Sequence, residues 1–90
     1  MTKVEVTLRL INQSGLHARP AAKFVQHAKT FNSRILVKKG EKIVDAKNIL
    51  GVLSLGAECG DDITIIVEGD DAEEALKALG ELVKNKFGEE

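Results

Sequence analysis

Aromatic residues and cysteine are scarce in this sequence. Phe24, Phe31 and Phe87 are the only aromatic side chains in 90 residues, and tryptophan and tyrosine are absent. Rings so widely separated along the chain form no stacking platform for nucleic-acid bases. Cys59 is the only cysteine, which excludes an internal disulfide and a thiolate metal cluster. We expect Cys59 to be a small packing residue without a redox role.

An excess of charge of either sign is also missing. The 13 lysines and arginines stand against 14 acidic residues, for a net charge of −1, so no basic surface for nucleic acid is indicated. His17 and His27 lie ten residues apart without a cluster of further ligands, which argues against a metal site. We expect no bound metal or cofactor, and we expect His27 to lie on a helix surface.

Long apolar runs are absent as well. No stretch of apolar residues is long enough to span a bilayer, and no charged leader is followed by an apolar stretch and a cleavage site. We therefore expect a cytoplasmic protein that does not insert directly into a membrane. Because 43% of the residues are hydrophobic, we expect residues 1–90 to form a single small domain with an efficiently packed core.

Alternating apolar residues, which are present, predict four strands. The middle two form a hairpin that turns through residues 39–41, where Gly40 can adopt a positive φ. We expect this hairpin to lie beside the first strand. The alternating residues are Val4, Val6, Leu8 and Leu10 in the first strand, Ile35, Val37 and Ile43 in the hairpin, and Ile63, Ile65 and Val67 in the fourth strand.

Apolar residues at helical spacing predict three helices. The first begins at Ala18, the second covers residues 48–53, and the third follows Asp71, which is expected to form an acidic capping box with Glu74. Residues 87–90 are expected to fray. The order is βαββαβα, with the helices on one face of the sheet and the other face wet. The helical residues are Ala18, Ala21, Ala22, Val25 and Ala28, then Ile49, Leu50, Val52 and Leu53, then Ala75, Leu76, Leu79, Leu82 and Val83.

A histidine and an arginine stand where the first strand ends and the first helix begins, in residues 15–21. Pro20 is tolerated in a first helical turn, where the N–H groups lack partners. Those N–H groups and the positive end of the helix dipole suit a phosphoryl group. In a neutral imidazole, one ring nitrogen of His17 is free to act as a nucleophile. The Arg19 guanidinium offers forked hydrogen-bond donors for phosphoryl oxygens. The segment predicts a phosphate site; the alternative is a capping or surface histidine beside a solvated arginine.

Two segments resemble the HPr family, the histidine-containing phosphocarriers of the bacterial phosphoenolpyruvate-dependent sugar phosphotransferase system. They are GLHARPAA, residues 15–22, and KNILGVLSLG, residues 47–56. The resemblance implies an α+β open-faced sandwich with an antiparallel sheet. It also implies that His17 accepts a phosphoryl group on Nδ1 from enzyme I and passes it to enzyme IIA components, with Arg19 and the Ala18 amide holding the group. Such a protein is a transiently phosphorylated carrier and not an enzyme.

Asn48 departs from the second motif of the family. Many family members carry a serine here that a dedicated kinase phosphorylates. Asparagine caps a helix as well as serine does, but it has no hydroxyl and no charge, so the sequence argues against regulation through that kinase. Ser54 remains, and its apolar neighbours predict a structural role in a packed environment.

The second helix carries more large apolar residues than one small core can take up. By resemblance, Ala22, Ile49, Leu50 and Leu53 form a face that docks partner proteins. Core packing is the alternative, which we favour for Val52 and leave open for Leu53.

Two other functions stay open at this point. One is a phosphocarrier of a parallel, nitrogen-type regulatory branch. The other is a regulatory module that binds a partner without carrying phosphate, although the presence of His17 argues against it. We expect a monomer in each case.

Overall fold

A computed structural model describes residues 2–89. The predicted order βαββαβα is confirmed, and a short 3₁₀ helix follows the last α-helix. Leu10, predicted as part of the first strand, lies just beyond it and is fully buried. The elements are β1 (Thr2–Arg9), α1 (Ala18–Ala28), β2 (Arg34–Lys39), β3 (Lys42–Asp45), α2 (Ile49–Ser54), β4 (Asp62–Gly69), α3 (Ala72–Lys84) and η1 (Lys86–Gly88).

The four strands form one antiparallel sheet in the order β1-β4-β2-β3. The β2–β3 hairpin forms as predicted, with Gly40 at φ +60° in its turn, but its expected place beside β1 is wrong because β4 lies between them. In β4, Ile65 is fully buried on the helix side and Ile66 is half-buried on the other side. Hydrogen-bonded pairing with β1 along one edge and with β2 along the other places β4 inside the sheet.

The three α-helices cover one face of the sheet, as predicted. α3 packs on β1 and β4, and α1 packs against α2 and α3. The other face carries polar side chains, such as Thr7 and Thr64, whose exposed hydroxyls form a 2.8 Å hydrogen bond. The largest fully buried side chains are Phe24, Phe87, Leu10, Leu16, Ile35, Ile63, Ile65, Leu79, Val37, Val52, Val67 and Val83.

The predicted capping box at the start of α3 is wrong. Asp71 is the residue before α3, but its side chain makes no capping hydrogen bond. Its carboxylate instead accepts hydrogen bonds from the Asn32 N–H at 2.8 Å, the Ser33 N–H at 2.9 Å and the Ser33 hydroxyl. The Ser33 hydroxyl, followed by the Asn32 N–H, lowers the pKa of Asp71. Asp71 therefore fixes the segment that follows α1.

The predicted fraying of the C-terminal segment is wrong for residues 87–89, while residue 90 lies outside the described residues. The Phe87 ring is only 1% exposed, because a left-handed backbone at φ +54° turns this residue into the core. The Phe87 carbonyl accepts a 2.8 Å hydrogen bond from Lys23 of α1. Apolar burial and this contact anchor the segment beside the start of α1.

Cys59 and Ser54 both lie outside the core, so their expected packing roles are wrong. Cys59 is exposed in the loop between α2 and β4. Ser54 is exposed at the end of α2, where its hydroxyl donates a 2.6 Å hydrogen bond to the Gly51 carbonyl. The apolar residues flanking Ser54 pack inward while the serine itself faces solvent.

Candidate functional site

The loop before α1 packs backbone to backbone against the loop after α2. The Leu16 N–H donates a 2.9 Å hydrogen bond to the Ala57 carbonyl. Gly15 has φ +65°, and a Cβ there would lie 2.5 Å from the same carbonyl oxygen, so only glycine fits this approach. This contact brings two loops that are distant in sequence together beside His17.

His17 is the N-cap residue of α1, with an extended backbone at φ −125° and ψ 160°. Its side chain is 36% exposed, and its Nε2 lies 3.0 Å from the Glu58 Oε1. Within residues 2–89 the ring's other nitrogen, Nδ1, makes no hydrogen bond. The imidazole is thus held through Nε2, while about a third of the side chain is open to solvent.

The first turn of α1 offers N–H groups for an anion. Ala18 has a left-handed backbone at φ +44°, an uncommon conformation for a residue other than glycine that is often found at functional sites. Pro20 has no N–H, and the Ala21 N–H reaches the His17 carbonyl at only 3.5 Å. The N–H groups of Ala18 and Arg19 have no partners within residues 2–89, and the Arg19 side chain is exposed. Unpaired N–H groups at a helix start are an anion-binding arrangement.

The C-terminal segment supports the loop that precedes His17. The buried Asn12 amide Nδ2 donates to the Gly15 carbonyl at 2.8 Å and to the Glu89 Oε1 at 3.0 Å. The Ser14 hydroxyl donates to the other Glu89 oxygen at 2.8 Å. Hydrogen bonds from Asn12, then from Ser14, lower the pKa of Glu89. The carboxylate therefore stays charged and holds the loop in place at neutral pH.

α2 begins at the residue predicted to cap it. The Asn48 side-chain oxygen accepts hydrogen bonds from the Leu50 N–H at 3.0 Å and the Gly51 N–H at 3.2 Å. Val52 is fully buried, as expected, and Leu53 is half-buried.

The predicted docking residues include the most exposed large apolar side chain among residues 2–89. Leu50 is 75% exposed and Ile49 is 37% exposed, whereas Leu53 and Ala22 are half-buried. Because α2 packs against α1 on the same face of the sheet, this apolar surface lies on the helical side of the molecule, which also carries His17. We call these four residues the apolar patch.

Sequence reasoning missed Glu58, Asn12, Ser14 and Glu89. Glu58 is 41 residues from His17, and Glu89 is 77 residues from Asn12 and 75 from Ser14, so no local pattern connects them. The prediction for His27 is confirmed: this residue is exposed, and its Nδ1 lies 2.8 Å from the Lys23 carbonyl oxygen.

Neither a metal-ligand cluster nor a membrane-crossing helix is found among residues 2–89. Among residues 2–89, no three histidine, cysteine, aspartate or glutamate side chains come together as a metal site. No helix in the same range is long and apolar enough to cross a membrane.

The fold and the site together define a class of protein. An open-faced α+β sandwich presents at a helix start a histidine whose side chain is 36% exposed, as suits a small protein that carries a group between partners. A family model described as "PTS HPr component phosphorylation site" matches residues 4–85. The chain belongs to the HPr family of phosphocarrier proteins. As a member of that family it is a carrier of phosphoryl groups and not an enzyme.

Curated relatives support this assignment along nearly the whole chain. The phosphocarrier protein HPr of Treponema pallidum is 45% identical over 84 residues, which cover 93% of this chain and 96% of that protein. The HPr-like protein Crh of Bacillus subtilis is 44% identical, with 93% and 94% covered. The phosphocarrier protein NPr of Shewanella violacea is 42% identical, with 99% and 98% covered.

Solved structures confirm the open-faced antiparallel fold. The crystal structure of HPr-C-His from Thermoanaerobacter tengcongensis is 54% identical, has a TM-score of 0.95, and covers 97% of this chain and 98% of its own. A structure of an HPr dimer from the same organism has 54% identity and a TM-score of 0.79, with 93% and 97% covered.

Proposed function

We propose that this chain is a phosphocarrier of the sugar phosphotransferase system, acting as a single domain. His17 accepts a phosphoryl group on Nδ1 from enzyme I and passes it to enzyme IIA components. The observation that carries the proposal is the position of the His17 ring. Its Nδ1 has no hydrogen-bond partner within residues 2–89. The ring lies at the N-terminal end of α1, where the helix dipole and the unpaired N–H groups of Ala18 and Arg19 favour an anion.

The chemistry of a carrier needs little more than this. Phosphoryl transfer to and from His17 passes through a loose transition state with charge spread over the equatorial phosphoryl oxygens. The Ala18 and Arg19 N–H groups and the Arg19 guanidinium are donors for those oxygens. Deep burial would trap the group, so an imidazole that is 36% exposed suits both acceptance and release.

Partner recognition is assigned to the apolar patch. Leu50 at 75% exposure and Ile49 at 37% are available to a partner without unfolding the domain. One carrier must bind its donor and its acceptor in turn, which requires a small and transient interface. Arg19 at the rim adds charge complementarity, which raises the rate of encounter. We propose that the carrier acts as a monomer in the cytoplasm.

The direct test is the intact mass of the purified chain after incubation with enzyme I, phosphoenolpyruvate and magnesium. We expect one phosphoryl adduct that disappears on mild acid treatment and is absent in His17→Ala. The matched control is His27→Ala, which should form the adduct normally. If autophosphorylated enzyme I gives no adduct with the unaltered chain, the carrier role is wrong and a non-carrier binding module takes its place.

A nitrogen-type branch is the second candidate, because the relative named NPr aligns over 99% of this chain. Single-turnover transfer from the phosphorylated enzyme I of each branch separates the two. We expect faster transfer from the sugar-branch enzyme. Faster transfer from the nitrogen-branch enzyme would assign the chain to that pathway.

We also propose that the family's serine-kinase regulation is lost here. Asn48 stands at the position of the phosphorylatable serine and has no hydroxyl. Incubation with that kinase and ATP should give no adduct on the unaltered chain and one adduct on Asn48→Ser. An adduct on the unaltered chain that vanishes in Ser54→Ala would instead identify the exposed Ser54 hydroxyl as the target.

A further inference from the structure

Glu58 is the only residue within 2–89 whose side chain is hydrogen-bonded to the His17 ring. We propose that Glu58 is a positioning residue that makes Nδ1 the nucleophilic atom of His17 by holding a proton on Nε2. This inference rests on the proposed phosphocarrier function, and it identifies how the protein distinguishes the two ring nitrogens.

The backbone around Glu58 fixes its place beside His17. The Leu16–Ala57 hydrogen bond joins the two loops at the residues that precede His17 and Glu58. Asp61 then closes a tight turn, because its carboxylate accepts the Glu58 N–H at 2.8 Å and its own N–H donates to the Glu58 carbonyl at 3.0 Å. The Glu58 carboxylate is thereby delivered to within 3.0 Å of Nε2.

The Glu58 carboxylate determines which ring nitrogen of His17 carries the proton. An ionised carboxylate only accepts hydrogen bonds, so a hydrogen bond between Glu58 and Nε2 requires an N–H at Nε2. A neutral imidazole has one ring proton, which leaves Nδ1 of His17 with a free lone pair. Carboxylates that bond one nitrogen of a catalytic or metal-binding histidine select its tautomer in the same way.

His27 provides the opposite case on the same helix. Its Nδ1 lies 2.8 Å from the Lys23 carbonyl oxygen, and a carbonyl also only accepts. His27 therefore carries its proton on Nδ1 and has its lone pair on Nε2. The two histidines are predicted to be opposite tautomers when both are neutral, so each is an internal reference for the other.

The tautomer of His17 determines whether a proton has to be removed during phosphoryl transfer. The Nδ1 lone pair of His17 forms the new N–P bond while the donor's own bond to phosphorus breaks, and the donor's leaving atom keeps that electron pair. No proton has to leave Nδ1, and the proton on Nε2 stays in place. The phosphorylated ring is then cationic at Nε2–H, where the Glu58 carboxylate offsets the charge. The reverse tautomer would need a base to remove a proton from Nδ1 first.

Nitrogen-15 NMR of the unphosphorylated protein reads the tautomers directly. At about pH 8.5, where an ordinary imidazole is neutral, we expect the Nε2–H pattern for His17 and the Nδ1–H pattern for His27. In Glu58→Ala, the share of the Nδ1–H form of His17 should rise while His27 is unchanged. Glu5→Ala is the control, since Glu5 is exposed on the opposite face of the sheet. An Nδ1–H pattern for His17, or equal patterns in the unaltered chain and Glu58→Ala, would overturn the inference.

The single-turnover rate of phosphoryl transfer is the second readout. Because the pair is largely exposed, with 67% of the Glu58 side chain accessible, we expect Glu58→Ala to slow transfer by about threefold with its thermal unfolding unchanged. An unchanged rate despite an altered tautomer would refute the role in transfer. Failure of the unaltered chain to accept phosphate would refute the proposed function alone, since the NMR result does not depend on phosphorylation.

Discussion

The two histidines of α1 stand at opposite ends of the same helix and in opposite environments. His17 precedes the first turn, and its Nε2 is bonded to a side chain 41 residues away. His27 lies in the last turn, and its Nδ1 is bonded to a backbone carbonyl four residues earlier. A positive side chain near a helix C-terminus is favourable, so His27 is in the place where a histidine supports a helix. His17 is where a helix attracts an anion.

The comparison shows that an accessible imidazole is not by itself a phosphate site. His27 is more open to solvent than His17, yet one of its nitrogens is taken up by its own helix and the nearby dipole is of the wrong sign for a phosphoryl group. At His17, the contact from a distant loop occupies Nε2 and leaves Nδ1 free. The tertiary structure, more than the residue type, separates the two.

The largest difference is expected between two single variants, in each of which one histidine of α1 is replaced by alanine. His17→Ala should abolish phosphoryl transfer, whereas His27→Ala should leave the rate within about twofold, since surface changes away from a site have small effects. Quantifying the adduct by intact mass in a time course with enzyme I checks both. If the acid-labile adduct persisted in His17→Ala and was lost in His27→Ala, His27 and not His17 would be the residue that accepts the phosphoryl group.

A smaller effect is expected at the apolar patch beside the His17 end of the helix. Leu50→Glu should slow phosphorylation by enzyme I about tenfold, the size of one well-packed interface contact, while the fold is retained because the side chain is 75% exposed. Ile43→Glu is the matched control, since Ile43 is 52% exposed but lies on strand β3. Equal slowing by both changes would argue against a specific docking surface, and unfolding of the Leu50 variant would place Leu50 in the core.

Local patterns in the sequence are enough to predict the four strands, the three α-helices and the residues that start α1 and α2. Alternation within the strand identifies the buried face of β4. Asparagine is a favoured N-cap residue, and the structure confirms that Asn48 caps α2. These signals are local because hydrogen bonds within a helix and alternation within a strand involve near neighbours. The resemblance to a known family added the antiparallel sheet.

Features that depend on distant parts of the chain escaped prediction. The insertion of β4 between β1 and β2, the Asp71 contacts with residues 32–33 and the contacts of Glu89 with Asn12 and Ser14 all join segments more than 20 residues apart. Asp71 has the sequence context of a helix cap, yet its carboxylate bonds the segment after α1 instead. The contact between Glu58 and His17 is another such feature, since nothing in the sequence around Glu58 indicates that its side chain lies beside His17.

The starts of α1 and α2 differ in how they are capped, and this difference can be measured. Asn48 accepts two backbone hydrogen bonds, whereas His17 makes no side-chain capping bond. Asn48→Ala should therefore lower the free energy of unfolding by about 1 kcal/mol, while Asn48→Ser and His17→Ala should stay close to the unaltered chain. Urea unfolding followed by circular dichroism gives these values. A loss of stability in His17→Ala as large as in Asn48→Ala would give His17 a structural role.

The smallest effect concerns two carboxylates that hydrogen-bond the segments flanking α1. Glu89 bonds the loop that precedes the helix, and Asp71 bonds the segment that follows it. Hydrogen bonds lower the pKa of Asp71 from its ordinary 3.8 and of Glu89 from 4.5. A folded-state pKa below the unfolded value stabilises the protein above the unfolded pKa, and this contribution is lost as the pH falls through the folded value. Glu89→Gln and Asp71→Asn should thus be less stable than the unaltered chain at pH 7, with the difference shrinking below about pH 4. Thermal unfolding across this range, with Glu5→Gln as the control, checks the trend. A difference that stays constant with pH would mean that shape, and not charge, ties the ends of the helix to the loops.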